Sequence, residues 1–244
     1  MSYLFEQGDN VAFDQPRLQR DHKPSSAADA GHVLPVVSAI DTLDSGRERL
    51  EQYIAGIFHA AYGARILEYL PLLFSLDQEG ATNAALGLRS ASYAPLFCEQ
   101  YLDTSVEDQV VALYGRQVGR DRIMELGNLV GSQPGQSALL YLLVVAALNE
   151  AGVEYLLFAA NKAVRASITR SGFTPRVIQV AERNRLGSQK ECWGTYYDGE
   201  PVVMLGDIRM TMGQIKAQPV MRQVLRAYRH SIPVLADSIC TEVG

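Results

Sequence analysis

Glu125 is a lone carboxylate inside the apolar run Ile123–Val130 of this 244-residue chain. A run of that length and composition reads as a buried strand. A carboxylate held in a low-dielectric cleft has a raised pKa and can take a proton from an incoming nucleophile. The bland alternative is a structural acid paired with Arg89 or Arg122. The strand leads into Gly127-Asn128-Leu129-Val130-Gly131-Ser132-Gln133-Pro134-Gly135, and an apolar helix follows over about 136–150. Outward-pointing N–H groups and the helix dipole make such a junction a holder of phosphate. Gly135, Gln136 and Ser137 sit at it. The chain therefore offers a base beside a site for a phosphate-bearing cofactor.

Other side chains suggest a substrate. Arg89 ends a predicted strand, and its planar fork can clamp a carboxylate or pair with Glu125. Glu99 and Asp103 flank Tyr101 in an irregular aromatic segment. Trp193, Tyr196 and Tyr197 belong to a Trp-Gly-Thr-Tyr-Tyr stretch, and such aromatics either pack a core or wall an apolar ligand. Cys98, Cys192 and Cys240 are far apart, so neither a metal site nor a disulfide framework is expected. His22, His32, His59 and His230 hold no position that would activate Cys98, so thiol catalysis is not expected.

These residues need a scaffold. The chain is 48% hydrophobic and 20% charged, the composition of a globular protein with a large core. A net charge of −5 argues against a nucleic-acid partner, which demands a basic surface. The N-terminus lacks a basic start and an apolar stretch after it, so a cytoplasmic location is expected. The longest apolar run, Ala138–Leu148, is too short to span a bilayer, so no stable membrane insertion is expected. Residues 1–32 read as a flexible arm, 33–210 as the folded domain and 211–244 as a C-terminal helix and tail. Strands are predicted at 33–40, 71–76, 82–90, 123–130, 153–159, 175–180, 193–197 and 201–208. A capping box at Ser45 and Glu48 introduces a helix that stops at Gly63. Further helices are predicted at 106–114, 136–150, from Asn161, and at 221–229, where Arg222, Arg226 and Arg229 share one side. The order implies an α/β (α+β) fold. It is a single mixed sheet with helices on both faces, whose two central parallel strands, 123–129 and 153–159, diverge near Val130.

Three family patterns are visible. Asn161-Lys-Ala-Val-Arg-Ala-Ser-Ile168-Thr-Arg-Ser-Gly172-Phe173 resembles the last conserved segment of GNAT acyltransferases, with Ile168 where that family has tyrosine. Gly87-Leu88-Arg89 and Met124-Glu125-Leu126-Gly127-Asn128 are similar to motifs of the acyl-homoserine lactone synthases, which share the GNAT fold. The broadest match, over roughly 50–208, is to the bacterial family named for thermostable hemolysin. It rests on Ala60–Ala64, Gly87–Ala91, Leu96–Asp103, Glu125–Leu129 and Trp193–Tyr197. The resemblance implies a GNAT-like sheet with a V-shaped splay. It implies an N-acyltransferase moving an acyl group from acyl-CoA, or from acyl-phosphopantetheine on an acyl carrier protein, to a small-molecule amine or amino-acid-like acceptor.

In that reading Glu125 is the base, and the backbone at Leu129, Val130 and Gly131 binds the thioester and pantetheine arm. Asn128 assists, and Asn161 belongs to the cofactor site. Arg89, Glu99, Tyr101, Asp103 and Trp193 meet the acceptor or acyl chain, and Tyr196 supplies the proton that Ile168 cannot. No metal is implied. The family name implies a rival, a secreted protein that lyses membranes. A third option is a GNAT fold that only binds its ligand.

Overall fold

The computed structural model describes residues 34–133, 135–170 and 173–243. The arm 1–32, Pro134 of the glycine-rich turn, and Ser171-Gly172 of the Asn-to-Gly-Phe segment lie outside the described residues. Among the described residues, seven strands form one sheet: β1 (Val36–Ile40), β2 (Leu72–Gln78), β3 (Ala81–Ser90), β4 (Ile123–Gly131), β5 (Tyr155–Ala160), β6 (Arg176–Val180) and β7 (Val202–Asp207). Their spatial order is β1-β2-β3-β4-β5-β7-β6, and only β4 and β5 are parallel neighbours. β2 and β3 form the predicted hairpin. Glu79 and Gly80 both take left-handed backbone (φ 54° and 80°), which matches the twist of the flanking strands.

Helices cover both faces. α1 (Arg47–Tyr62) buries Leu50, Ile54 and Phe58, one per turn, and stops at Gly63 with φ 63°. Its start differs from expectation. Gly46, not Ser45, is the N-cap, and no side chain caps it. The preceding turn is instead held by the Asp41 and Asp44 carboxylates. Buried Arg47 fixes the helix start by donating to the carbonyls of Pro71 and Leu70, both at 2.7 Å. α2 (Val106–Tyr114) inserts Val106 and Val110 among Ile123, Tyr155, Leu157 and Leu205 on one sheet face. α3 (Gln136–Glu150) lies on the other, packed with Met124, Leu126, Leu156 and Phe158. It is apolar all round because the sheet and two later helices enclose it. α4 (Lys162–Arg170) follows β5.

The C-terminal region departs from the expected single helix and tail. Three helices form there: α5 (Ile208–Ala217), α6 (Pro219–Ala227) and α7 (Ser231–Val243). The Asp207 carboxylate ends β7 and caps α5 through the Met210 N–H at 2.8 Å. Ile208, Met212 and Ile215, then Ile232, Leu235, Ala236 and Ile239, join the main core.

The strand predicted at 193–197 is also corrected. Residues Arg183–Trp193 and Tyr196–Gly199 form 3₁₀ turns. They make a strap that crosses from β6 back to β7 and docks on the end of α1. Arg65 N–H donates to Cys192 O at 2.7 Å, and Thr195 N–H donates to Tyr62 O at 2.9 Å. Gly194, between the turns, has φ 51° and ψ −127°, which stops any strand there. A Cβ on Gly194 would lie 1.9 Å from the Tyr62 carbonyl oxygen.

A third irregular piece, predicted as irregular, contains a 3₁₀ turn over Phe97–Tyr101. Arg120 holds its outer side. It pairs with both oxygens of Glu99 at 2.9 Å, with Glu107 at 2.9 Å and with the Ala91 carbonyl at 2.6 Å. Glu99 also accepts from Leu96 N–H at 2.7 Å. Burial pushes the Glu99 pKa up, but the Arg120 and Leu96 hydrogen bonds outweigh it and leave the group below its usual value.

Two stability predictions follow from these contacts. Gly194→Ala combines strained backbone with a steric clash, and should cost roughly 2–3 kcal/mol in chemical denaturation. It should also expose the strap to limited proteolysis before the rest of the chain. Glu99 contributes stability that is present above its unfolded pKa and lost as pH falls through its lower folded value. Glu99→Gln should therefore lower stability by about 1–3 kcal/mol near neutral pH and flatten the acid limb of a stability–pH curve. An unchanged acid limb would show that this cluster does not hold the turn.

Candidate functional site

The site begins with backbone. β4 and β5 pair only from Ile123↔Tyr155 to Leu126↔Phe158. The splay therefore opens after Leu126, earlier than the expected Val130. β4 continues to Gly131 along β3 alone, so among the described residues its other edge has no strand partner over 127–131. The same stretch carries a β-bulge. Ala85 faces Val130 and Gly87 faces Gly127, so Asn128 and Leu129 together oppose Leu86. Asn128 has φ 51°, and its side-chain Oδ1 accepts the Leu70 N–H at 2.9 Å. Gly87 and Gly127 face each other because Leu70 crosses above them. A Cβ at either position would come within 2.9 Å of that side chain.

Where the strands part, a cavity of about 100 Å³ opens on the Glu125 face of the sheet. Its floor is Glu125, Gly127, Asn128 and Ala159, and its walls include Phe58, Phe97, Tyr101, Trp193, Tyr196 and Tyr197. The aromatic rings brace one another. Trp193 lies 5.7 Å from Phe97, 5.4 Å from Tyr196 and 6.2 Å from Tyr197 between ring centres. The strap supplies Trp193, Tyr196 and Tyr197, and the 97–101 turn supplies Phe97 and Tyr101. Two chain segments without regular strand or α-helix thus make most of the aromatic wall.

Glu125 is 2% exposed. Its two oxygens accept the N–H groups of Phe97 (2.8 Å) and Cys98 (2.6 Å), so the carboxylate caps the 3₁₀ turn. Burial raises its pKa, and a hydrogen bond with the Cys98 side chain, the two N–H bonds and the Arg89 charge only partly offset that. Neither expected salt-bridge partner holds it. Arg89, its cross-strand neighbour, pairs with Glu68 at the cavity rim, and Arg122 pairs with Asp121. Cys98 is buried, and burial with the Glu125 charge pushes its thiol up, which disfavours the thiolate that a nucleophile needs. Burial also raises Tyr196 well above the usual phenol range and pushes Tyr197 up to about 12. The Tyr101 and Tyr197 hydroxyls share a short hydrogen bond.

The predicted residues divide into groups. Glu125, Asn128, Arg89, Tyr101, Trp193 and Tyr196 meet at the cavity. Glu99 and Asp103 do not; they face a shallow outer groove, where Glu99 pairs with Arg120 and Asp103 with Arg185. Leu129, Val130 and Gly131 form the free edge of β4. Asn161 is buried as the cap of α4. Its Oδ1 accepts Val164 N–H at 3.0 Å, and its amide donates to the Tyr62 hydroxyl at 3.3 Å. Gly135, with φ 80°, starts α3 without any side-chain cap, followed by Gln136 and buried Ser137. The Gln136 Oε1 atom is buried with no partner among the described residues. No cluster of metal-ligating side chains occurs among the described residues. None of their helices is long and apolar enough to cross a membrane.

Sequence reasoning missed Phe58, Phe97 and the rim pair Glu68–Arg89. Phe58 was visible only as one apolar position on α1. Glu68 lies in an irregular stretch whose course nothing local dictates.

The fold matches solved structures along nearly their whole length. FeeM, an N-acyl amino acid synthase from uncultured soil microbes, superposes with a TM-score of 0.51 at 12% identity, covering 77% of this chain and 98% of its own. TofI in an apo form gives 0.50 at 13% identity, covering 78% and 99%. The acyl-homoserine lactone synthase LasI gives 0.49 at 10% identity, covering 71% and 90%. The sheet order, the single parallel pair and the splay are those of a GNAT-like fold. A search among curated proteins found none that matches the sequence. Residues 40–212, well over half of the chain, match the family profile described as thermostable hemolysin, and the chain belongs to that family.

Proposed function

We propose that this protein is a GNAT-like N-acyltransferase. It moves an acyl group from a thioester, acyl-CoA or acyl-phosphopantetheine on a carrier protein, to the amine of an amino-acid-like acceptor. The observation that carries this reading is the splay beside a buried carboxylate: unpaired β4 backbone and Glu125 face one apolar cavity. FeeM, with the same fold, is an N-acyl amino acid synthase, which suits an acceptor bearing both an amine and a carboxylate.

The chemistry would run as follows. The thioester enters between β4 and β5, and N–H groups on the free edge near Leu129 bind its carbonyl as charge builds on oxygen. The amine nitrogen attacks the carbonyl carbon, the C–N bond forms and the C–S bond breaks. Glu125 takes the amine proton, directly or through a water. Its oxygens hold the 97–101 turn and also accept a hydrogen bond from the Cys98 side chain, and the carboxylate still lines the cavity. Tyr196 donates a hydrogen bond to the departing sulfur. The aromatic wall takes the apolar part of the acyl chain. Arg89 receives the acceptor carboxylate. Its present partner, Glu68, has a side chain 58% exposed, so a substrate carboxylate can replace it at small cost.

Glu125→Gln should lower kcat/KM about 10²–10⁴-fold, the usual worth of a positioned base. It is not a neutral replacement, because the amide NH₂ would face a backbone N–H that now has an acceptor. A stability loss of about 1–3 kcal/mol should accompany it. The parent's kcat/KM should rise with pH along a limb set above the ordinary glutamate range, since only the ionised base works, and the variant should lack that limb. Thiol release from a panel of acyl-thioesters and amino acids reads this out; an intact limb in the variant sinks the base assignment.

The rim pair gives opposite signs. Arg89→Ala should raise KM for carboxylate-bearing acceptors at least about tenfold, as expected for loss of a charge-assisted contact, with kcat little changed. Glu68→Gln should lower that KM a few-fold, because it removes a competitor for Arg89. If both variants shift KM in the same direction, Arg89 is not the clamp.

A further inference from the structure

The chain carries a net charge of −5, yet no acidic residue occurs between Ile208 and Ala236. Lys216, Arg222, Arg226 and Arg229 fall in that stretch, all exposed, and among the described residues none is in an ion pair. Arg222 and Arg226 lie one turn apart on the same face of α6. Arg222 Nη1 donates to the Lys216 carbonyl at 2.6 Å, and Arg229 Nη1 to the Arg226 carbonyl at 3.2 Å. These bonds join the end of α5, α6 and the residues after it into one basic strip with its side chains partly fixed.

Topology sets where the strip lies. α5 starts beside Glu154, at the closed end of the β4–β5 pair, where Ile208 N–H donates to the Glu154 carbonyl at 2.9 Å. The Tyr228 hydroxyl, just past α6, donates to the Pro35 carbonyl at 2.9 Å. Pro35 precedes Val36, which pairs with Asp77 near the β2–β3 turn. That turn lies at the opposite end of the sheet, where β4 reaches Gly131 against Ala84 and α3 begins. The strip after α5 therefore sits at the end where the splay opens. There, Ser132–Leu139 contains no lysine or arginine, so the start of α3 offers backbone donors but no cation to a nucleotide's phosphates.

We propose that Lys216, Arg222, Arg226 and Arg229 dock an acidic acyl carrier protein, whose phosphopantetheine arm then reaches into the splay. This rests on the acyltransferase reading above and assigns its donor. Arginine forks pair with carboxylates in two-pronged fashion, which suits a helix surface rich in aspartate and glutamate. A membrane is the poorer partner. Most apolar residues of α6 are committed inward, with Met221 buried and Val224 and Leu225 packed against the core; Val220 alone among its larger apolar side chains is half exposed, too little to make an apolar face that enters lipid headgroups.

The test is binding of a bacterial acyl carrier protein carrying a fatty acyl chain, followed by fluorescence anisotropy over a range of salt. The intact protein should bind it, more weakly as salt rises. Arg222→Glu, Arg226→Glu and Arg229→Glu combined should weaken binding at least about tenfold through like-charge contact, while turnover of a short acyl-pantetheine stays at the parent's rate. Arg209→Glu changes the same acid-free stretch at the other end of α5, and should leave binding intact. Equal weakening by Arg209→Glu would mean general charge and not docking, and overturns the proposal. So does carrier binding that ignores the triple change, or a strip that binds phosphatidylglycerol vesicles and not the carrier. If the carrier binds through the strip but no amine is acylated from any donor, docking stands and the acyltransferase reading falls.

Discussion

A buried carboxylate that accepts two backbone N–H groups organises this site. Glu125 lies in the middle of the sheet, where an unpaired charge would be costly. The Phe97 and Cys98 amides supply partners, and in return the carboxylate satisfies the first donors of a turn that has no other cap on that side. On the outer side, Arg120 and Glu99 hold the same turn. The segment is thus clamped between an acid from the sheet and an ion pair near the surface. Phe97 and Tyr101 owe their positions to that clamp, and through them so does the aromatic wall.

The cavity depends on what the strands leave unfilled. β4 stays with β3 and parts from β5 after Leu126, while the bulge at Asn128–Leu129 bends its free edge away. The facing pair Gly87 and Gly127 admits Leu70 over the sheet, and the Asn128 side chain ties that segment down. The strap then closes the opposite wall, anchored where Gly194 lets backbone meet the Tyr62 carbonyl. Apolar packing sets the width of the cleft, and backbone irregularity sets its shape.

Sequence patterns revealed the regular parts. β4, α3 and β5 were legible because continuous apolar runs between glycines leave few alternatives, and α1 because its apolar positions recur once per turn. Glu125 stood out because a charge in such a run needs a reason. Other parts were hidden. Trp193–Tyr197 looks extended by its aromatic content, but the left-handed backbone at Gly194 depends on contact with Tyr62, which is remote in sequence. Glu99 looked like a pocket residue beside Tyr101, and it faces the other way because Arg120 lies there. Of the C-terminal helices, the one expected at 221–229 is α6, whereas α7 was equally legible and not predicted: Ile232, Leu235, Ala236 and Ile239 carry helical spacing. Pro233 in that stretch falls in the first turn of α7, where it breaks no hydrogen bond.

The double duty of Glu125 constrains any proton chemistry at this site. As a carboxylate it can serve two amides and still face the cavity. Once it gains a proton, the carboxyl loses its charge, and the two N–H bonds that cap the turn weaken. A proton resting on Glu125 would therefore loosen the segment carrying Phe97 and Tyr101, which line the cavity. Transfer onward, to a departing thiolate or to solvent at the mouth, restores the cap. In the acyl-transfer scheme proposed here, the base is reset by the same step that expels the thiol. The wall should thus be least firmly held between attack and release, when product must begin to leave.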